Sequence, residues 1–246
     1  MRLHLLGYVP HPSSGIHLIS GEDRQRMVEA VNSSTSVAGT PTDLIPGTAA
    51  PGSPPPRAIL AAAKECFTRK GYEATTLADI AQAARIPEAE LLQNYGPKSK
   101  LLLGIFDQAW ALINPRIADI IATSRDARSA MSSILSTAVN VYQKDRSLVR
   151  LMVLEAYRPQ PGTNRVATSR GYFVFAEMLT ALAERGQREG CFKTSFHPRV
   201  ITSLIVAVGQ GVLRDALLAE EMGKADIYAM PQLIAAFESV IASLKP

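Results

Sequence analysis

The chain of 246 residues has few of the side chains that build metal centres or nucleophilic active sites. It contains four histidines and two cysteines, and of the histidines only His197 lies beyond residue 17. The sequence therefore offers too few ligands or bases for a metal cluster or a histidine-based triad. Cys66 and Cys191 are isolated from each other, which suits a reducing compartment without a structural disulfide. No glycine-rich phosphate loop is found. We therefore expect no catalytic residues, no metal and no cofactor.

The sequence also lacks a long apolar run and a strong charge of one sign. No stretch approaches the roughly 20 apolar residues of a membrane span, and proline soon interrupts the opening MRLHLLGYVP, which makes it a poor signal peptide. The formal net charge is +4, and residues 57–105 hold seven cations against five anions, a small surplus for a nucleic-acid binder. These features favour a cytoplasmic location. They do not indicate a function, which has to be predicted from local motifs.

Residues 1–56 differ in composition from the rest of the chain. They hold eight of the sixteen prolines, six glycines and a Ser/Thr run at 33–36. Such a segment buries too little apolar surface to offset its chain entropy, so we expect a disordered extension. Two interpretations stay open: the extension contacts DNA or a partner, or it is inert.

Residues 57–105 carry three short helical patterns followed by the start of a fourth helix. Gly71 is placed to end the first helix with a positive φ. The Thr76 hydroxyl is placed to cap the second helix, with Asp79 at its third position. Pro87 suits the start of the third helix. Two short helices joined by a tight turn form a helix-turn-helix, which we place at about 76–95. The apolar stripe of the first helix comprises Ile59, Leu60, Ala63, Cys66 and Phe67.

In the spacing and type of seventeen residues, this segment resembles the TetR family of bacterial transcriptional regulators (TetR/AcrR type). The matching residues are Arg57, Ile59, Leu60, Ala63, Phe67, Gly71, Tyr72, Thr75, Thr76, Ile80, Ala81, Ala84, Leu91, Tyr95, Lys98, Leu101 and Leu102. The resemblance implies a repressor of transcription whose head binds double-stranded DNA, with phosphate contacts at Thr76 and Lys98. The DNA-binding residues that it implies are Arg57, Thr75, Thr76, Arg85, Glu88, Gln93, Asn94, Tyr95 and Lys98.

The segment departs from the family pattern where bases are read. Arg85 replaces the usual glycine of the turn, and a side chain in a left-handed conformation costs roughly 1 to 2 kcal/mol. Glu88 and Glu90 suit a helix N-terminus but repel phosphates. Leu92 and Asn94 stand where the family has tyrosines. An alternative function therefore stays open: a ligand- or partner-binding protein on the same frame with weakened or lost DNA binding.

Residues 106–246 predict a larger helical domain, so the fold class is all-α. We expect Asn114-Pro115 to kink or end the fourth helix, and His197 before Pro198 to cap a later one. The segment SLVRLMVLEAY, at 147–157, is apolar nearly all round and is therefore expected to lie at the centre of the domain. No segment alternates as a strand does.

The last two helices, at about 198–244, have wide apolar faces. Gly209 and Gly211 remove side chains and allow close helix approach. Such a pair either packs on its own domain or forms a dimer interface. The resemblance to TetR proteins favours a homodimer, whose two heads read half-sites of a palindromic operator about 34 to 36 Å apart.

The resemblance also implies a small-molecule effector that binds in the helical domain and changes the separation of the heads. We expect an apolar or amphiphilic effector in a mostly apolar pocket. Glu155 interrupts an apolar helix, and its alternative is an ion pair with Arg150 or Arg158. For the aromatic and methionine candidates, the alternative is ordinary core packing. The candidate pocket residues are Trp110, Tyr142, Met152, Glu155, Tyr157, Phe173 and Met178.

Overall fold

The computed structural model describes residues 55–155 and 169–246, and all structural statements concern these two ranges. Within them the chain is helical and contains no strand, which confirms the all-α prediction. The predicted extension at 1–56 lies outside the described residues except for Pro55 and Pro56, which begin the first helix. The helices are α1 (Pro56–Lys70), α2 (Leu77–Ala84), α3 (Glu88–Tyr95), α4 (Lys98–Thr123), α5 (Ala127–Lys144), α6 (Arg146–Glu155), α7 (Arg170–Arg188), α8 (Pro198–Glu221), a 3-10 turn (Ala225–Tyr228) and α9 (Met230–Ser243).

The first three helices and the start of α4 enclose one apolar cluster, the head core. The predicted stripe of α1 is fully represented in it, because all five of its residues are buried. Tyr72 folds back so that its ring lies 5.1 Å from that of Phe67, as the glycine turn before it predicts. The members of the head core are Ile59, Leu60, Ala63, Cys66, Phe67, Tyr72, Ile80, Ala81, Leu91, Tyr95, Leu101, Leu102, Ile105, Phe106 and Leu151.

Helices α4, α5, α7, α8 and α9 enclose a second cluster, the body core, in which α7 is the central element. Leu179 and Leu182 of α7 are 1% exposed and pack with Met131 of α5 and Ile201 of α8. The turn after α7 also fits closely, since a Cβ at Gly186 would lie 2.1 Å from the Phe192 ring. The His197 imidazole Nδ1 accepts the backbone N–H of Arg199 and caps α8, as predicted.

Helix α4 connects the head core to the body core without a break. Pro115 does not end it, because the helix continues to Thr123. Proline removes the bond to the carbonyl of Ala111, but that residue is exposed and water can satisfy its carbonyl. The Asn114 side chain donates to the carbonyl of Gly171 at 3.0 Å and ties this turn to α7. Head and body are therefore joined by one continuous helix.

The prediction that SLVRLMVLEAY lies at the centre of the body is wrong for its described part. Helix α6 is short, and of its residues only Val149 and Leu151 are buried, while Leu154 is 43% exposed. Leu151 packs into the head core and Val149 into a small cluster with α8. The helix therefore bridges head and body, and its apolar residues are divided between two neighbours.

The expectation that no stretch approaches a membrane span is wrong for helix α8, which is long and apolar enough to cross a membrane by length and composition, with a mean hydropathy of 1.5. Only 28% of that apolar window is buried in one chain. Most residues of this apolar window are therefore not buried within one chain.

Candidate DNA-binding head and ligand cavity

Helix α2 begins with the predicted capping box. The backbone N–H of Asp79 donates to the Thr76 hydroxyl at 3.1 Å, and the backbone N–H of Thr76 donates to the Asp79 carboxylate at 2.9 Å. Lys70 donates to the same carboxylate at 2.5 Å. The hydrogen bond from Lys70, together with those from Thr76, lowers the pKa of Asp79 to about 2. The start of α2 is thus fixed by bonds that are internal to the head.

The turn between α2 and α3 is a Schellman motif centred on Arg85. Arg85 has φ 58° and ψ 43°, and within the described ranges it is the one residue other than glycine with positive φ. Its backbone N–H donates to the carbonyl of Gln82, and that of Ile86 donates to the carbonyl of Ala81 at 3.1 Å. The left-handed conformation considered from the sequence is therefore present, and the exposed guanidinium stands at the tip of the turn.

Helix α3 has one buried and one exposed face. Leu91 and Tyr95, four residues apart, are buried in the head core. Pro87 precedes the helix and makes no side-chain cap, as predicted. We call the exposed face of α3, formed by Glu88, Leu92 and Gln93, the reading face. Leu92 is 50% exposed, so this face combines a carboxylate, an amide and an aliphatic side chain.

Two residues that the family resemblance assigns to DNA make bonds inside the head. The Lys98 ammonium donates to the carbonyls of Tyr72, Glu73 and Thr75 at 2.8, 3.0 and 3.1 Å. The Thr75 hydroxyl is buried and donates to the carbonyls of Cys66 and Gly71. Both residues therefore hold the loop between α1 and α2 in place, whatever contact Lys98 also makes with a phosphate.

The nine DNA-binding candidates divide by exposure. Asn94 and Lys98 are half-buried, and Thr75 and Tyr95 are buried. The accessible side chains lie at the start of α1, at the cap of α2, in the turn and on the reading face. These accessible candidates are Arg57, Thr76, Arg85, Glu88 and Gln93.

The body contains an apolar cavity of about 180 Å³, the ligand cavity, lined by residues of α4, α5, α6, α7 and α8. The described residues that line it carry no charged side chain. Its aromatic wall is formed by Trp110, Tyr172 and Phe175, and the Trp110 and Phe175 rings stack with centroids 4.9 Å apart. The cavity is thus suited to an apolar group.

The structure places two of the seven effector candidates, Trp110 and Met152, on the wall of the ligand cavity. Tyr142 is buried elsewhere and donates to Glu220 at 2.7 Å; burial and this bond raise its pKa to about 12. Phe173 is 53% exposed, Met178 packs on the body core, and neither lines the cavity. Glu155 ends α6 away from the described lining, and Tyr157 lies outside the described residues.

A contact that the sequence does not reveal fixes the start of α7 against α4. A Cβ at Gly171 would lie 2.2 Å from the Cβ of Trp110, so only glycine permits this approach. Burial raises the pKa of the nearby Asp107 carboxyl, and the backbone of Gly171 and Arg170 lowers it in part, while its Oδ1 is buried without a hydrogen-bond partner among the described residues. This anchor positions Ser169 and Tyr172 on the wall of the ligand cavity.

One side chain belongs to both the head core and the ligand cavity. Phe106 of α4 is 4% exposed, packs in the head core and lines the cavity. Trp110 and Met152 also line the cavity and pack against the head core. A molecule that moves these side chains therefore acts directly on the packing of the head.

Comparisons with known proteins agree with this arrangement. The model of the family "Bacterial regulatory proteins, tetR family" matches residues 59–105. The HTH-type transcriptional repressor KstR2 of Rhodococcus jostii is 24% identical over 140 residues, which cover 55% of this chain and 67% of the relative. The HTH-type transcriptional repressor BdcR of Escherichia coli is 22% identical over 165 residues, 65% of this chain and 84% of the relative.

Among solved structures, the transcriptional regulator FadR from Bacillus subtilis, in complex with stearoyl-CoA, superposes with a TM-score of 0.65 at 17% identity. The match covers 77% of this chain and 97% of that chain. At this identity the likeness concerns the fold alone.

The fold and the head are those of a helix-turn-helix transcriptional regulator whose helical body contains an apolar cavity. The head, at residues 59–105, is similar to that of the TetR family of bacterial transcriptional regulators.

Proposed function

We propose that this protein is a cytoplasmic, homodimeric repressor that binds a palindromic operator and leaves it when an apolar or amphiphilic molecule enters the ligand cavity. The reading face and the Arg85 turn contact bases, while Thr76 and the start of α4 lie at the phosphates. No catalytic step is part of this function. The observation that carries the proposal is the double position of Phe106, in the head core and on the cavity wall.

The exposed face of α8 supports the dimer. Apolar or small side chains recur on it at three- and four-residue steps at Val200, Leu204, Ala207 and Gly211, and Leu218 lies two turns further on, beyond the exposed Arg214. A Cβ at Gly211 would meet no atom within 4 Å, so this face has room for a close neighbour. An exposed apolar stripe of this length is typical of a protein–protein interface. A chain that sediments as a monomer at micromolar concentration contradicts this part of the proposal.

Ligand binding and DNA binding are coupled because α4 contributes side chains to both the head core and the ligand cavity. A ligand in the cavity displaces Phe106, Trp110 or Met152, and each of these packs against the head core. Ligand and operator then favour different head positions, so each lowers the affinity of the other by the same factor. FadR of B. subtilis, a protein of this fold, is in complex with stearoyl-CoA, which supports an amphiphile as ligand.

The direct test is fluorescence anisotropy with labelled duplexes that tile the DNA upstream of the protein's own gene. We expect one palindromic segment to bind more tightly than scrambled DNA, with an affinity that falls steeply between about 50 and about 200 mM salt. Gln93→Ala should alter the preference among operator variants without changing the salt dependence. If no segment binds better than scrambled DNA at low salt, the repressor function is wrong.

A second function is favoured by the composition of the reading face. Glu88 places a carboxylate on the exposed side of α3, and Leu92 places an apolar side chain there. A partner protein or ligand suits this face better than phosphates do. Failure of all DNA segments to bind, with a normal ligand response of the body, would favour this alternative.

A further inference from the structure

A second, open pocket of about 330 Å³ adjoins the ligand cavity between α4 and α5; we call it the side pocket. Thr137 and Val141 of α5 line both spaces, so they form a common wall. The side pocket differs in chemistry from the ligand cavity, because its rim carries the charged residues Arg116, Asp119 and Lys144. An apolar cavity and a pocket with a charged rim are therefore next to each other.

The two cations of the side pocket have no ion-pair partner among the described residues. Arg116 and Lys144 are exposed and form no salt bridge there, whereas Arg146 and Arg150 nearby pair with Glu220 and Glu221. Asp119 is the opposing charge at the rim, which leaves an excess of one positive charge. The side pocket is thus suited to a carboxylate or phosphate, which Lys binds as a point charge and Arg through two parallel bonds.

The ligand cavity, in contrast, is suited to an uncharged group. Its described lining has no charged side chain, so a charged group inside it would lose its hydration without compensation. Its volume of about 180 Å³ is also below the roughly 300 to 1,000 Å³ of pockets that enclose a whole drug-sized ligand. A ligand of that size must therefore extend from the cavity into a neighbouring space.

We propose that the effector is an anionic amphiphile, whose acyl chain occupies the ligand cavity and whose carboxylate or phosphate head group is held by Arg116 and Lys144. This inference rests on the proposed ligand-responsive function and specifies the ligand class of that site. Two sources supply the chemistry: a free fatty acid, with a carboxylate, and an acyl thioester of coenzyme A, with phosphates.

Trp110 provides the measurement, since it is the one tryptophan of the chain and lines the ligand cavity. The full-length protein is titrated with dodecanoate, dodecanoyl-CoA, dodecanol and coenzyme A without an acyl chain, and Trp110 emission is followed. We expect at least one anionic ligand to bind about tenfold more tightly than dodecanol, as a charge-assisted hydrogen bond gives. Coenzyme A alone should leave Trp110 emission unchanged.

The double variant Arg116→Gln/Lys144→Gln should remove this preference and leave dodecanol binding as in the wild type. Arg188→Gln is the matched control, because Arg188 is an exposed cation of α7 that lines neither space. Dodecanoate binding that depends on the two cations assigns a carboxylate ligand, and binding of the thioester alone assigns the phosphates.

The outcomes separate this inference from the broader function. If dodecanol binds as tightly as the anions and releases DNA, the ligand-responsive function stands and the head-group site is wrong. An anion preference that survives in the double variant also overturns the inference. If no acyl ligand changes Trp110 emission or DNA binding, the inference fails, and the broader function loses its amphiphilic ligand.

Discussion

Lys98 makes two contacts with Tyr72, one with its backbone carbonyl and one with its ring. The Lys98 ammonium donates to the Tyr72 carbonyl at 2.8 Å and lies 4.6 Å from the centroid of its ring. With its bonds to Glu73 and Thr75, it closes the loop between α1 and α2 onto the start of α4. The residue that the family uses at a phosphate is here also a structural connection between the head and α4.

Lys98→Ala should therefore reduce stability as well as DNA affinity. We expect a loss of about 1 to 2 kcal/mol in the free energy of unfolding, since bonds from a charged donor are lost and the side chain is half-buried. DNA affinity should fall by a similar factor for operator and scrambled duplexes. Urea titration and anisotropy measure the two effects.

Lys100→Ala is the control for this prediction, because Lys100 lies two residues further along α4 and is exposed. It should leave the urea midpoint unchanged. If Lys98→Ala has the stability of the wild type and only DNA affinity changes, the three carbonyl bonds contribute nothing and the role of Lys98 is a phosphate contact alone.

Two substitutions at Arg85 separate the effect of backbone strain on stability from the effect of the guanidinium charge on DNA binding. Arg85→Gly should raise the free energy of unfolding by up to about 1 kcal/mol, because glycine adopts positive φ without the penalty of a Cβ. Arg85→Ala keeps the Cβ and should give no such gain. Both variants lose the guanidinium, so both should bind the operator more weakly. Equal stabilities of the two variants in thermal unfolding would show that the left-handed turn is not strained.

Local features of the head could be predicted from the sequence because neighbours in the chain decide them. The Thr76 and Asp79 capping box needs only residues three apart. The left-handed conformation of Arg85 was considered because the resembled family has glycine at this place in the turn. The carbonyl bonds of Lys98 join residues 23 to 26 positions apart, and the sequence pattern does not reveal them. The family resemblance instead assigned Lys98 to DNA.

The ligand cavity was harder to predict, because residue type does not tell which way a side chain points. Aromatic and methionine residues led to Trp110 and Met152, but equally to Phe173, which is exposed. Much of the wall is aliphatic, and a residue such as Ile205 has the same pattern as any buried helix residue. The glycine at 171 gave no signal either, since its importance depends on Trp110 of another helix.

The pH dependence of stability should reveal the Asp79 capping box. The folded-state pKa of Asp79 is about 2, below the ordinary value of 3.8. A lowered folded-state pKa stabilises the fold above pH 3.8, and this contribution is lost as the pH falls from 3.8 towards 2. Asp79→Asn should therefore be less stable than the wild type at pH 7, and the difference should narrow through that window. Urea midpoints at pH 7, 4 and 3 test this; a difference that does not change with pH would show that the carboxylate charge has no part in it.

The fit between Gly171 and Trp110 yields the prediction most specific to the ligand cavity. Gly171→Ala places a Cβ 2.2 Å from the Trp110 Cβ, and relief of such overpacking costs about 1 to 3 kcal/mol in the free energy of unfolding. The start of α7 must move away from α4, so Trp110 emission should shift and ligand affinity should change.

Ser169→Ala is the control for this prediction. It removes the α7 cap, in which the Tyr172 N–H donates to Ser169, at a cost of about 1 kcal/mol in the free energy of unfolding. Trp110 emission should stay unchanged in this variant. Thermal unfolding and emission spectra of the two variants give the comparison. A Gly171→Ala protein with wild-type stability and emission would mean that α7 does not approach α4 this closely.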